Sequence, residues 1–160
     1  MSPKIPIKTQ THLEWDEIRR HLSDTCQSEE GVARAKSLPF AETYNELSVR
    51  HQRTTEARTL IDQGYHLSIG ALPDVRHELS RARRSAQLEP EAIVAIGRLL
   101  ETSRRVSETL SSVDSAPSLN SFTSSLYVNA SLENECIASF DEDLQLVNGA
   151  SPALRKLRQQ

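Results

Sequence analysis

Apolar residues recur along this chain at intervals of three and four, the period of helices that bury one side. In "THLEWDEIRRHLSDTC", Leu13, Trp15, Ile18 and Leu22 supply such a face, and Thr11 with Glu14 has capping-box spacing. Ser28 caps a second helix, "SEEGVARAKSL", whose first-turn acids suit a helix N-terminus, and Pro39 ends it. A longer polar helix is expected from about Thr43 to Ile61, with Leu47, Thr54, Ala57 and Ile61 on one stripe and Gly64 as its stop. Pro73 then starts "PDVRHELSRARRSAQ", a short basic helix with Val75 and Leu79 facing inward.

The clearest pattern follows Pro90. Ile96, Leu99, Ser103, Val106, Leu110 and Val113 form a heptad-like seam for packing against other helices. Gly97 costs about 1 kcal/mol against alanine in a helix interior, and close helix packing is its expected return. "SSVDSAPSLNS" reads as a loop and "ASLENECIASF" as a further helix. "DLQLVNGAS" is expected to be extended and turned at Asn148-Gly149, a hairpin dipeptide. Ser151 and Pro152 start a last helix. Only Leu154 and Leu157 give that helix an apolar face, so 151–160 is expected to fray when it stands alone. The expected fold is mainly all-α, with a small extended hairpin-like element near the C-terminus. Its expected organisation is a flexible stretch 1–10, a helical body 11–150 and a helix start 151–160.

Composition narrows the function classes. The chain has 160 residues, 37% hydrophobic and 26% charged, which suits one globular domain with a solvated surface. Aromatics at 4% provide no stacking platform for single-stranded nucleic acid, and a net charge of −3 gives no electrostatic footprint for it. Cys26 and Cys136 stand apart, as free thiols of a reducing compartment do. The opening "MSPKIPIKTQ" lacks the apolar core of a secretion signal, and no run approaches the ~20 apolar residues of a membrane span. The chain therefore reads as cytoplasmic, without a membrane partner.

Candidate chemistry is sparse. The chain has no GxxxxGK[ST] or GxGxxG phosphate loop and no GxSxG nucleophile motif. His12, His21, His51, His66 and His77 lack ligand spacing, so no metal site is expected. Asp141, Glu142 and Asp143 read as a solvated acidic turn rather than a metal site. No catalytic or cofactor-binding residue stands out, and the chain is not expected to be an enzyme. One cluster carries a hypothesis: Arg76, Arg81, Arg83 and Arg84 are candidate phosphate contacts, with His77 among them and Arg98, Arg104 and Arg105 further on. The plainer reading, a solvated face paired with Glu78, Glu101 and Glu108, is preferred.

Four stretches in order carry a family resemblance: "LEWDEIRRHL" (13–22), "SEEGVARAKSLPF" (28–40), "IGALPDVRHELSRARRSAQLEPEAIVAIGRLLETSRRV" (69–106) and "SFDEDLQLVNGASPALRKLRQQ" (139–160). Together they resemble the N-terminal region of the second bacterial MutS family, MutS-two. Its members carry "LEFDKI", "S-x-x-G-x-x-x-A", "L-x-D-I-R-x-x-L-x-R-A", "L-x-P-E-E-L" and "I-D-x-x-G-x-V-x-D-x-A-S-P-x-L-x-x-I-R". Against the last of these, the turn glycine is missing from "DEDLQLV". The resemblance implies a segment of a MutS-like core domain, truncated as a lever helix begins, before the clamp, the ATPase and a Smr nuclease domain. ATP and Mg would serve the full-length family and no cofactor this chain. Its partners would be the remainder of a MutS-like protein or another copy, as in the family's homodimer, with DNA or ribosome reached only through the parent architecture. The parent's expected work is ATP-dependent binding of branched DNA, restraint of recombination and, in some members, action on stalled ribosomes. The other reading is a free-standing helical protein-interaction module, with the Ile96–Val113 seam as its partner surface.

Overall fold

The computed structural model describes residues 5–67, 69–70 and 72–158. The chain is mainly α-helical, and among the described residues no strand or sheet forms. The helices are α1 (Ile7–His12), α2 (Trp15–Asp24), α3 (Glu29–Lys36), α4 (Tyr44–Asp62), α5 (Arg76–Arg83), α6 (Pro90–Ser111), α7 (Pro117–Asn120), α8 (Ala130–Ala138) and α9 (Pro152–Arg158), with one 3-10 turn at Thr123–Ser125. Among the described residues, no helix is long and apolar enough to cross a membrane. The chain divides into two units, one of residues up to 72 with 108–124, the other of 73–107 with residues from 125 onward.

In the first unit, α1 occupies part of the stretch expected to be a flexible N-terminus. The expected capping box does not form: Glu14 sits in the left-handed region (φ 50°), and the Thr11 hydroxyl donates to the Ile7 carbonyl instead. The spacing was correct, but a second, earlier helix takes up Thr11. Trp15 stacks on Phe40, ring centroids 4.2 Å apart, which ties the start of α2 to the loop after α3. Ile18 and Leu22 are only half-covered. Ser28 caps α3 as expected, its hydroxyl accepting from the Gly31 N–H at 3.1 Å. Thr43 caps α4 in the same way, accepting from the Glu46 N–H. Gly64 ends α4 with φ 84°, and the Tyr65 N–H reaches the Leu60 carbonyl at 2.9 Å, a Schellman closure.

The buried face of α4 is not the expected stripe. Leu47 and Ile61 are 44% and 63% exposed, while Glu56 and Leu60 are buried. The reason is a carboxylate. Glu56 accepts from the backbone N–H groups of Ser118 (3.2 Å) and Leu119 (2.9 Å) at the start of α7, and from the Gln52 amide at 3.0 Å. One side along, the Arg53 guanidinium lies over the Phe122 ring, 4.3 Å from its centroid. The "SSVDSAPSLNS" loop thus contains a helical turn, docked on α4 by these two charged side chains.

In the second unit Val75 is buried as expected, but Leu79 is 44% exposed. The Leu79 N–H closes on the Val75 carbonyl at 2.9 Å, so the two lie one turn apart, and the cover over Val75 does not extend that far along α5. Ser85, at φ 57°, closes α5 in the left-handed region, with the Ala86 N–H returning to the Arg81 carbonyl. On α6 the covered face centres on Gly97 and Leu100, beside the expected seam: Ile96, Leu99, Ser103 and Val106 are half-buried, while Leu110 near the end of α6 and Val113 beyond it, both of the first unit, are buried. Gly97 explains the rotation. A Cβ there would stand 2.8 Å from Ile137 Cγ1 and 2.9 Å from Cys136 Cβ, so α8 packs directly on the α6 backbone. Arg104 then reaches α8 in a two-pronged pair with Glu133, both contacts at 2.9 Å.

The expected hairpin is corrected too. A single antiparallel bridge, Phe140 with Leu146, is the only pairing among the described residues. Its turn lies at 141–145 and not at Asn148-Gly149. Asp141 Oδ1 accepts from the N–H groups of Asp143 (3.1 Å) and Gln145 (2.8 Å), an Asx-type turn that outcompetes the glycine dipeptide. Ser151 caps α9 as expected, accepting from the Leu154 N–H at 3.1 Å.

Candidate functional site

The basic segment around α5 is the only stretch for which the sequence suggests a ligand, and the structure sorts its four arginines into two kinds. Arg76 forks onto Asp74, Nε to Oδ1 at 2.8 Å and Nη2 to Oδ2 at 2.7 Å. Those bonds, with the Arg76 backbone N–H, hold the Asp74 carboxyl down at about 2. Arg81 Nη2 donates to the Gln87 carbonyl at 2.9 Å, bracing the chain after α5. Arg83 and Arg84 are exposed at the last residue of α5 and its cap. Positive charge there complements the negative end of the helix dipole, a structural use that needs no ligand.

The neighbourhood is acidic. A cavity of about 330 Å³ beside α5 is lined by Asp74, Glu78, Glu89 and Glu91 against the single guanidinium of Arg81. The Glu78 carboxyl lies below its ordinary range, held by its own backbone N–H and by His77. Approach of a phosphate from that side meets like charge. The later arginines do not join the cluster: Arg104 is directed to Glu133, and Arg105 pairs along its own helix with Glu101 at 3.8 Å.

The remaining candidates have local uses. Asp141 braces its own turn, and among the described residues no group of three His, Cys, Asp or Glu side chains could hold a metal. Both cysteines are free thiols. Burial, with Glu135 nearby, pushes the Cys136 thiol up, which makes it a packing residue rather than a nucleophile. Sequence reading missed the most constrained ionisable groups, Glu56 and Glu133. Burial pushes the Glu56 carboxyl up, but the N–H donors of Leu119 and Ser118 outweigh it and leave it below its ordinary value. Hydrogen bonds from Arg104 lower Glu133 against a smaller opposing effect of burial. The available signal was weak: neither α4 nor α8 carries an apolar stripe that marks its covered side, so nothing set these two glutamates apart from the solvated ones.

Compared with known proteins, the chain is similar along nearly its whole length to curated bacterial proteins named Endonuclease MutS2. It is 29% identical over 151 residues to that of Symbiobacterium thermophilum, covering 94% of this chain and 19% of the relative. It is 28% identical over 155 residues to that of an Anaeromyxobacter species, covering 95% and 19%. For Clostridioides difficile the values are 25% over 150 residues, 91% and 19%. The chain spans about a fifth of the length of the curated relatives it matches. No family model matches it. No solved structure matches it either.

Proposed function

We propose that this MutS2-like chain is the N-terminal helical scaffold of a MutS2-type protein and supplies no catalytic chemistry itself. The observation that carries the reading is the alignment with these relatives, which takes in more than nine-tenths of this chain and 19% of theirs. Its most constrained charged groups support a scaffold: Glu56 fixes α7, Glu133 and Arg104 join α8 to α6, and Arg76 and Arg81 brace the ends of α5. In this reading, ATP and Mg binding and strand cleavage belong to other parts of such a protein, which works in the cytoplasm as a homodimer. Its work is ATP-dependent binding of branched DNA, restraint of recombination and action on stalled ribosomes. Where the segment itself meets a phosphate backbone, Arg83 and Arg84 make the contact.

A chimaera tests the reading. The matching fifth of the Symbiobacterium thermophilum protein is replaced by this chain, and ATP turnover and branched-DNA binding are measured. Both are expected to persist, while the isolated chain neither hydrolyses ATP nor cuts DNA. A folded chimaera that loses both activities would overturn the proposal, as would turnover by the isolated chain that a point change within it abolishes. The second reading, an interaction module, is favoured by Tyr44, Leu47 and Ile61 on α4, which are 85%, 44% and 63% exposed. Its partner surface is then α4 and not the α6 seam, where Leu110 and Val113 are buried. Replacing Leu47 and Ile61 by serine leaves the chimaera's activities intact if α4 is a module's docking face, and lowers them if the face packs within the larger protein.

A further inference from the structure

The end of the second unit is tied back on itself. Asp141 holds the turn 141–145, and the bridge from Phe140 to Leu146 closes it. From the last described turn of α9, Arg158 Nη1 donates to the Leu146 carbonyl at 3.0 Å and to Asn148 Oδ1 at 2.7 Å. One guanidinium therefore grips both the bridged residue and the connection into α9. Near the other end of the helix, Ser151 holds the Leu154 N–H. Leu154 joins Ile93, Leu132, Cys136, Phe140 and Leu146 around an apolar cavity of about 460 Å³.

We propose that Arg158 is the positioning residue of a clip that sets the direction of α9 relative to the 140–148 turn. The seven described residues of α9 return few hydrogen bonds of their own against the cost of nucleation. Fraying follows if the helix has only two leucines to hold it. One nitrogen of Arg158, Nη1, donating to two acceptors ten and twelve residues earlier closes the segment between them into a loop. The loop fixes where α9 points as well as whether it forms. Both acceptors are neutral, so the clip is a charge–dipole contact with little dependence on salt. An aspartate at 148 would turn it into an ion pair.

Amide hydrogen exchange of residues 154–158 in the full chain tests the clip, with the α8 amides as the internal standard. Arg158→Ala is expected to speed exchange at 154–158 roughly tenfold, the worth of a lost hydrogen bond to a charged group, and to leave α8 unchanged. Arg158→Lys is expected to fall between, since both bonds leave from one nitrogen, which an ammonium can replace only from a differently shaped stem. Asn148→Asp is expected to slow exchange several-fold at low salt, a gain that disappears near 1 M salt, where the screening length is about 3 Å. That salt dependence would not arise from a merely structural role of residue 148. Exchange at 154–158 within twofold of wild type in both Arg158→Ala and Asn148→Asp would overturn the proposal. So would equal acceleration of α8 in Arg158→Ala, which would mean general loosening.

Discussion

In the first unit Glu56, on α4, offers its two oxygens to backbone N–H groups; in the second Glu133, on α8, offers its own to a guanidinium. Both carboxylates are buried and both are lowered from their ordinary pKa, yet the partners differ in kind. The N–H groups of Ser118 and Leu119 point at Glu56 because α7 begins there, so that contact exists only while the turn is helical. Arg104 brings its own charge on a flexible stem and needs only that α6 and α8 stay close. Their closeness is set by Gly97, where any side chain would meet Ile137 and Cys136. The first unit thus rests on a backbone conformation and the second on a steric gap.

The largest effect expected from breaking that contrast is in the second unit. Gly97→Val places new atoms where a Cβ alone already stands under 3.0 Å from two α8 side-chain atoms. Overpacking of this kind costs about 3 kcal/mol, and the atoms met are near the α8 backbone rather than flexible tips. Chemical denaturation should show the loss, and the Arg104–Glu133 pair should weaken with it. Gly97→Ala should cost less, because alanine returns about 1 kcal/mol of helix propensity. Wild-type stability in Gly97→Val would show that α8 is free to move away from α6.

Next in size is the first unit's carboxylate. Glu56→Ala leaves the Ser118 and Leu119 donors without their acceptor, worth about 2 kcal/mol. Glu56→Gln keeps one acceptor oxygen and should cost about half as much. The diagnostic measurement is amide exchange at Leu119, which should accelerate in both variants while Arg104→Ala leaves it unchanged. If Arg104→Ala also speeds Leu119, the two devices are not separate.

The limits of α3 and α4, the Ser28 and Ser151 caps, the Gly64 stop and the close approach at Gly97 were legible because each is a local rule written in one or two residues. The α4 face was not. Periodicity counts apolar residues, and the covered side of α4 has Arg53 and Glu56 at its centre, so the visible stripe of Leu47, Thr54 and Ile61 pointed to the exposed side. Leu79 failed for a different reason: it lies one turn from buried Val75, and spacing alone does not say how far the cover extends along the helix. Of the basic candidates, the tethers of Arg76 and Arg81 could not be read from charge spacing. Asp74 and Gln87 become partners only once the ends of α5 are folded.

Acid should expose the two carboxylates together, by a smaller amount. Both have folded values below the ordinary 4.5, so their stabilisation is complete above that value and is lost as pH falls through the lower folded values. Thermal midpoints should therefore be nearly level from about pH 7 to 5 and fall below about 4.5. Glu56→Gln should reduce the acid sensitivity of Leu119 exchange and leave that of α8 as it was. A midpoint that rises on acidification would reverse the sign and show that burial outweighs the hydrogen bonds.

The smallest expected effect is a gain, at the turn where the hairpin was misplaced. Leu144 stands at φ 58°, in the region where a side chain crowds its own backbone at a cost of roughly 1–2 kcal/mol. It occupies the glycine position of the MutS-two pattern "I-D-x-x-G-x-V", read from Phe140 through Leu146. The turn keeps a glycine conformation without the glycine because Asp141 holds the N–H groups on either side of residue 144. Leu144→Gly should therefore stabilise the chain by about 1 kcal/mol, less whatever packing the leucine supplies. Ser85→Gly, which relieves the same strain at the end of α5, gives the comparison (φ 57°). Because Ser85 has no side chain of comparable size to lose, its gain should be the larger of the two. A destabilising Leu144→Gly beside a stabilising Ser85→Gly would show that the leucine contributes more by packing than its backbone strain costs.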